Sequence, residues 1–200
     1  MSFFCCHTKV KLKGIADFKG SAIHFKGQED AFLVYLKDQV QLMKAATIAQ
    51  LKKELQFRSQ DEVMQLCLRL ARFKKENKEL LTYLLFEAEN EESYIEAVKQ
   101  EMDEMFSEIN VNSFFYIKKS VRKILRTLKK YIRYSGDKAT EVELLLYFCE
   151  KLNGFSPSIR RNTTLLNLYQ RQLEYIEKKI PLLHEDLQHD YGLVLRGLKP

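Results

Sequence analysis

Hydrophobic positions recur along most of the chain at intervals of three and four residues, the spacing that places them on one face of an α-helix. In the stretch 138–152, for example, Val142, Leu145, Leu146 and Cys149 follow this spacing. Short polar interruptions separate one such stretch from the next and mark the expected helix ends. The pattern predicts helices over 48–57, 60–74, 76–89, 91–109, 114–134, 138–152 and 158–189.

Several of these predicted helix ends carry residues that start or stop a helix. Ser59 and Glu62 have the separation of a capping box, in which each side chain accepts a hydrogen bond from the other residue's backbone N–H. Gly136 and Asp137 combine a residue that ends helices with one that begins them. Pro181 has no backbone N–H, so it predicts a kink or break within the last helix.

The same spacing predicts which side chains face the interior. We expect the second and third helices to bury their apolar faces, and Cys67 and Cys149 to be small buried hydrophobic residues. For these two helices the predicted interior residues are Val63, Leu66, Cys67, Leu70 and Phe73, then Leu80, Leu81, Leu84, Leu85 and Ala88.

Composition agrees with a helical protein. The 200 residues include only seven glycines and three prolines, whereas β-rich folds need turn residues about every 8–12 positions. We therefore expect an all-α fold, either a compact multi-helix array or a short solenoid-like bundle, with about seven to eight helices. A five-residue similarity between 79–83 and 143–147 is compatible with an internal helical repeat.

The two ends of the chain differ from its middle. Residues 1–28 contain three of the seven glycines and predict a flexible or weakly ordered basic arm. A single helical domain is expected over 29–190, followed by a frayed tail with two glycines over 191–200. Translation from Met43 instead of Met1 is an alternative, and it would make residues 1–42 an extension.

The helix predicted over 114–134 is the strongest local feature, because it carries eight cations and no acidic residue in a chain of net charge +6. Its apolar residues form one stripe, so the cations occupy the remaining surface. There they can follow a row of phosphates while tyrosines stack on bases. The candidate binding surface consists of Lys118, Lys119, Arg122, Lys123, Arg126, Lys129, Lys130, Arg133, Tyr131 and Tyr134.

The preceding helix, 91–109, offers an internal explanation for this charge. Residues 87–108 hold nine acidic residues against Lys99 alone, and the short connection 110–112 should make the two helices an antiparallel pair. We favour mutual neutralisation of the two flanks within the fold. An external protein partner and a nucleic acid are the alternatives.

Aromatic residues near these helices have two interpretations. Phe114, Phe115 and Tyr116 are consecutive and cannot all face the core, and Tyr169 and Tyr175 are further candidates for partial exposure. Packing beneath a neighbouring helix is favoured over a role as binding anchors.

The sequence contains no recognisable catalytic or cofactor motif. It lacks glycine-rich phosphate loops and the G-x-S-x-G nucleophile turn, and Cys67 and Cys149 have no histidine nearby in sequence. His184 and His189 have the wrong separation to bind one metal from one helix face. We therefore expect no metal, no cofactor and no enzymatic activity, although two carboxylates brought together from distant helices would suffice for acid–base chemistry.

The four cysteines show no zinc or disulfide spacing, and no apolar stretch reaches the length of about 18 residues that spans a membrane. The sequence thus predicts a cytoplasmic, non-enzymatic helical interaction or scaffold protein with an unidentified protein partner. The alternative is a nucleic-acid-binding protein, for RNA in particular, that uses the basic helix 114–134.

Overall fold

The computed structural model describes residues 45–199, which form eight α-helices and no β-strand, so the all-α prediction is confirmed. These residues divide into two units, one ending at Phe57 and one beginning at Arg58. The predicted arm over 1–28, the domain start at 29 and the alternative start at Met43 lie outside the described residues. In chain order the helices are α1 (Ile48–Gln56), α2 (Gln60–Phe73), α3 (Lys75–Thr82), α4 (Glu91–Ser107), α5 (Phe114–Ser135), α6 (Lys138–Asn153), α7 (Thr163–Lys179) and α8 (Glu185–Leu198).

The first unit contains α1 in its described part. Thr47 and Gln50 form a capping box at the start of this helix, with the backbone N–H of each residue donating to the side chain of the other (2.9 and 3.3 Å). The apolar residues Ile48, Leu51 and Leu55 are all exposed.

In the second unit the predicted helix ends are confirmed at two junctions. Ser59 and Glu62 exchange both hydrogen bonds of the capping box (2.9 and 3.3 Å). Gly136 ends α5 with a φ of 68°, a left-handed conformation that glycine adopts without steric cost. Asp137 then accepts hydrogen bonds from two backbone N–H groups in the first turn of α6.

Helix α6 lies at the centre of the second unit, in contact with α4, α5, α7 and α8. It is hydrophobic on nearly every side, which is typical of a helix surrounded by others. Its predicted interior residues Val142, Leu145 and Cys149 are buried, and so are Leu144 and Phe148 on its other sides. The core of the second unit is therefore built around this helix.

Helix α4 begins where the end of α5 and the start of α6 meet. The Glu91 carboxylate accepts hydrogen bonds from the hydroxyls of Ser135 and Thr140 (2.5 and 2.6 Å). Near the other end of α4, Asp103 contacts Lys151, which lies late in α6. Helix α4 therefore runs antiparallel to α5, as the short connection predicts, and parallel to α6.

The predicted interior faces of the second and third helices are not interior. Helix α2 packs against α3. Of the predicted interior residues of α2, however, only Val63 is half-buried, so the prediction that Cys67 is buried is wrong. An apolar stripe shows which face of a helix avoids water, not whether a neighbour covers it. The exposed members of the predicted set are Leu66, Cys67, Leu70, Phe73, Leu84, Leu85 and Ala88.

The helix predicted over 76–89 divides in two. Helix α3 ends at Thr82, and the chain continues as a π turn over Tyr83–Glu87, closed by a hydrogen bond from the N–H of Ala88 to the carbonyl of Tyr83 (2.9 Å). Tyr83 is buried, and it donates its hydroxyl to Glu91 (2.8 Å).

The helix predicted over 158–189 breaks at Pro181, as expected, and the tail predicted to fray forms the second half of α8. Short 3-10 turns at Ile159–Arg161 and Ile180–Leu182 flank α7. Leu195 and Leu198 are buried, and the hydroxyl of Tyr169 donates to the carbonyl of Leu198 (2.6 Å). Packing against α7 thus offsets the low helix propensity of the glycines in this segment.

Candidate functional site

The rotation of α5 is set by its apolar stripe. Ile117, Val121, Ile124, Leu128 and Ile132 recur at helical spacing, and all five are buried. Burial of this stripe against the rest of the second unit leaves the opposite side of the helix in solvent.

The eight cations of α5 lie on that solvent side. At about 100° per residue they fall within an arc of about 140°, whose middle is about 150° from the middle of the buried stripe. Lys118 and Lys130 are half-buried, and the other six are exposed. Because a helix rises about 1.5 Å per residue, the cations occupy about 24 Å of the helix axis.

Only one of these cations forms an ion pair within residues 45–199. The Nζ of Lys130 lies 2.6 Å from a carboxylate oxygen of Glu79, and Tyr134 donates its hydroxyl to the same oxygen (2.9 Å). Partial burial favours the neutral acid, but these two donors hold the pKa of Glu79 below its usual range. The remaining seven have no carboxylate within 4 Å in this part of the chain.

The predicted ion pairing between the acidic and basic helices is therefore wrong for the described residues. The two helices do pack together, but their polar contacts come from tyrosines. Tyr94 donates its hydroxyl to the carbonyl of Tyr131 (3.0 Å), and Tyr131 donates its own to Glu101 (2.7 Å). The cation arc of α5 is turned away from α4, which explains why its charges do not reach the carboxylates of that helix.

Other acidic residues of α4 are bound by α6. Asp103 accepts hydrogen bonds from the Tyr147 hydroxyl and the Lys151 ammonium group (2.8 and 2.9 Å). Lys99 of α4 forms an ion pair with Glu143 of α6 (2.8 Å). These contacts secure α4 without using a cation of α5.

Tyr131 and Tyr134, which the sequence placed on the binding surface, serve the fold instead. Both are half-buried, and their hydroxyls are bound by Glu101 and Glu79. Burial and these carboxylates raise the pKa of both phenols.

Three other aromatic residues are exposed near the cations. Phe115 has 67% of its surface in solvent and lies within the cation arc, one turn before Lys119. Tyr116 is also exposed and packs edge-on against the Phe115 ring. Tyr175 of α7 is also exposed, whereas Tyr169 is buried, in agreement with the favoured packing beneath a neighbouring helix.

A cleft of about 840 Å³ runs along the C-terminal half of α5. The Lys129 ammonium group lies 5.9 Å from the centre of the Tyr175 ring, whose hydroxyl donates to Glu141 (2.6 Å). Lys179 forms an ion pair with the same carboxylate (2.9 Å). The sequence did not predict this part of the surface, because periodicity does not show that α7 lies beside α5. Its lining includes Lys123, Arg126, Lys129, Arg133, Glu141 and Tyr175.

Two histidines and a cysteine are the other candidates for chemistry within residues 45–199. His184 and His189 are exposed and each lies beside a single aspartate. This part of the chain has no group of three or more potential metal ligands. Burial raises the pKa of the Cys149 thiol to about 12, which makes it a poor nucleophile.

None of the described helices is both long enough and apolar enough to cross a membrane. Comparisons of the chain with protein-family models, curated proteins and solved structures find no match. The function is therefore inferred from the chemistry of the surface itself.

Proposed function

We propose that the protein binds single-stranded nucleic acid, without catalysis, through the basic surface formed by Lys118, Lys119, Arg122, Lys123, Arg126, Lys129, Lys130 and Arg133. The observation that carries this proposal is the absence of an ion-pair partner for seven of these cations within residues 45–199. Unpaired surface cations that share one face attract a polyanion and release its condensed counterions on contact.

The exposed aromatic residues favour a single strand over a duplex. Phe115 lies near the N-terminal end of the basic surface, and Tyr175 lies beside its C-terminal half. An aromatic ring can stack on a base only when that base is unpaired and turned outwards. Cations along α5 would hold the backbone while these two rings hold bases.

The sequence also predicts a helical interaction protein, and an acidic protein partner is the competing ligand for this surface. The exposed rings favour nucleic acid, because salt-dependent binding to an acidic protein does not require stacking. The experiment below separates the two ligands.

The test measures the affinity of the full chain for fluorescently labelled single-stranded RNA and DNA of about 20 nucleotides. The variant Arg122→Glu/Arg126→Glu reverses two exposed cations of α5. The control Arg160→Glu/Arg161→Glu makes the same change in net charge at two exposed residues of a 3-10 turn. Tyr175 lies about 20 Å from that turn along α7.

With about six phosphate contacts, affinity should fall by roughly two orders of magnitude between about 50 and 200 mM salt. The α5 variant should bind more weakly, and the slope of log affinity against log salt should be less steep by about 1.4. The control should keep the wild-type slope.

A second variant, Phe115→Ala, tests stacking. We expect about fivefold weaker binding or more, with Phe115→Leu intermediate, because stacking contributes about 1–3 kcal/mol per base. No binding by the wild type, or equal losses in the α5 and control variants, would contradict the proposal. In the first case an acidic protein becomes the ligand to seek.

A further inference from the structure

A second cleft, of about 610 Å³, lies between α2 and the segment formed by α3 and the π turn. Its apolar lining comes from Leu68 and Ala71 of α2, Leu81 of α3, and Leu85 and Phe86 of the π turn. None of these residues takes part in the basic surface of α5. The cleft is therefore a separate feature that the proposed nucleic-acid binding does not use.

The π turn presents three consecutive apolar side chains to solvent. Burial of Tyr83 and its hydrogen bond to Glu91 fix one side of this turn against the core. Leu84, Leu85 and Phe86 then follow consecutively in solvent, with 64% of Leu85 and 77% of Phe86 exposed. Isolated π turns occur frequently at functional sites, and contiguous exposed apolar side chains mark binding surfaces.

The rim of the cleft is positively charged. Arg72, Lys75 and Lys78 line it, and none of the described residues that line it is acidic. Lys75 has one partner, Glu79, at 3.5 Å. Arg72 and Lys78 form no ion pair with any residue in the range 45–199.

We propose that this cleft binds an amphipathic helix of a protein partner, with acidic residues on both sides of its apolar stripe. An apolar groove with a cationic rim complements such a helix in hydrophobicity and in charge. Helix α3 and the π turn together extend about 20 Å, so the groove accommodates about three to four turns of a partner helix.

The geometry disfavours two other occupants. A symmetric contact between two copies of the chain would bring the cationic rim of one copy against that of the other, and like charges across an interface repel. A lipid surface is flat on this scale, whereas the apolar side chains here line a concavity that accepts inserted side chains.

The probe for the test is a synthetic peptide of about 18 residues, with leucines at i, i+3, i+4 and i+7, glutamates on the two flanks of that stripe, and alanine and glutamine elsewhere to keep it helical. One control peptide has the same composition with the leucines scattered. A second keeps the leucine pattern but replaces glutamate with lysine. Binding of the full chain to each peptide is measured by isothermal titration calorimetry.

Two variants of the chain locate the site. Leu85→Gln should weaken binding of the Leu/Glu peptide about fivefold or more, whereas Leu182→Gln, at a similarly exposed leucine in a 3-10 turn, should not. Arg72→Glu/Lys78→Glu should weaken it about tenfold or more, and it should confer binding of the Leu/Lys peptide. Arg122→Glu/Arg126→Glu should leave peptide affinity unchanged, which separates this site from the nucleic-acid surface.

Several outcomes would overturn the proposal. They are no binding of the Leu/Glu peptide, equal binding of the scattered peptide, or wild-type affinity in Leu85→Gln. Self-association that Leu85→Gln abolishes, without peptide binding, would assign the cleft to a second copy. Co-sedimentation with phosphatidylserine vesicles, again without peptide binding, would assign it to a membrane surface.

Discussion

Removal of the Glu91 carboxylate provides a stringent test of how the second unit is held together. Glu91 is the first residue of α4, and it accepts hydrogen bonds from three hydroxyls, those of Tyr83, Ser135 and Thr140. These donors come from the π turn, the end of α5 and the start of α6. The substitution Glu91→Ala leaves all three without their acceptor.

The magnitude follows from the burial of the donors. Thr140 is 1% exposed and Tyr83 is also buried, so water cannot readily replace the carboxylate at either hydroxyl. Each buried donor left unsatisfied costs about 1–3 kcal/mol, whereas the half-buried Ser135 can bond to water. We expect a loss of about 3 kcal/mol in the free energy of unfolding, which corresponds to about 6–12 °C in Tm for a chain of this size.

The assay is urea and thermal unfolding followed by circular dichroism. The matched control, Glu92→Ala, removes an exposed carboxylate from the same first turn and should cost no more than about 0.5–1 kcal/mol. Thr140→Val should compensate part of the Glu91→Ala loss, because it removes one of the stranded donors. A Glu91→Ala loss no larger than that of Glu92→Ala would refute the assigned role of this hydrogen-bond cluster.

Three further predictions concern the core, the last helix and pH. In native protein, mass-spectrometric mapping after alkylation should find Cys67 modified and Cys149 protected, because Cys67 is exposed and Cys149 is buried. Equal modification of these two residues would contradict the packing of α6. Leu198→Ala should cost about 2–4 kcal/mol in denaturant unfolding, since this residue packs against α7, whereas a frayed end would lose almost nothing. Burial raises the pKa of several tyrosines, including Tyr94 and Tyr131, above the ordinary value of 10.0. The stabilisation that these neutral phenols give the folded state is complete below pH 10 and is lost as the pH rises towards their folded-state pKa values. Tyrosinate absorbance and loss of ellipticity should therefore rise together above pH 10.

Local sequence signals predicted the helix ends and the core correctly where the determining interactions are local. The Ser59–Glu62 box, the Gly136–Asp137 junction and the break at Pro181 each depend on contacts within a few residues. The burial of α6 was also predictable, because the helix carries apolar side chains on nearly every side. The position of the α5 cations on the solvent side was predictable from the single apolar stripe of that helix.

Contacts between distant helices were not predictable from the same signals. Opposite net charges suggested that α4 and α5 would form ion pairs, but the buried stripe of α5 turns its cations away from α4. Tyrosine hydroxyls, which carry no charge and give no signal in a charge count, bind carboxylates such as Glu101 instead. Likewise, amphipathicity identified the apolar face of α2. It did not show that Leu70 and Phe73 on that face would remain exposed.

The π turn over Tyr83–Glu87 also bears on how this chain can change in length. A π turn accommodates one residue more than an α-helical turn while the flanking backbone keeps its direction. Loss of a single codon for Leu84, Leu85 or Phe86 would let the turn close as an ordinary α-helix, with Tyr83 still held on the core side. A gene could thus gain or lose an apolar side chain at this surface through one in-frame insertion or deletion, and the change would fall in the connection between α3 and α4 instead of within either helix.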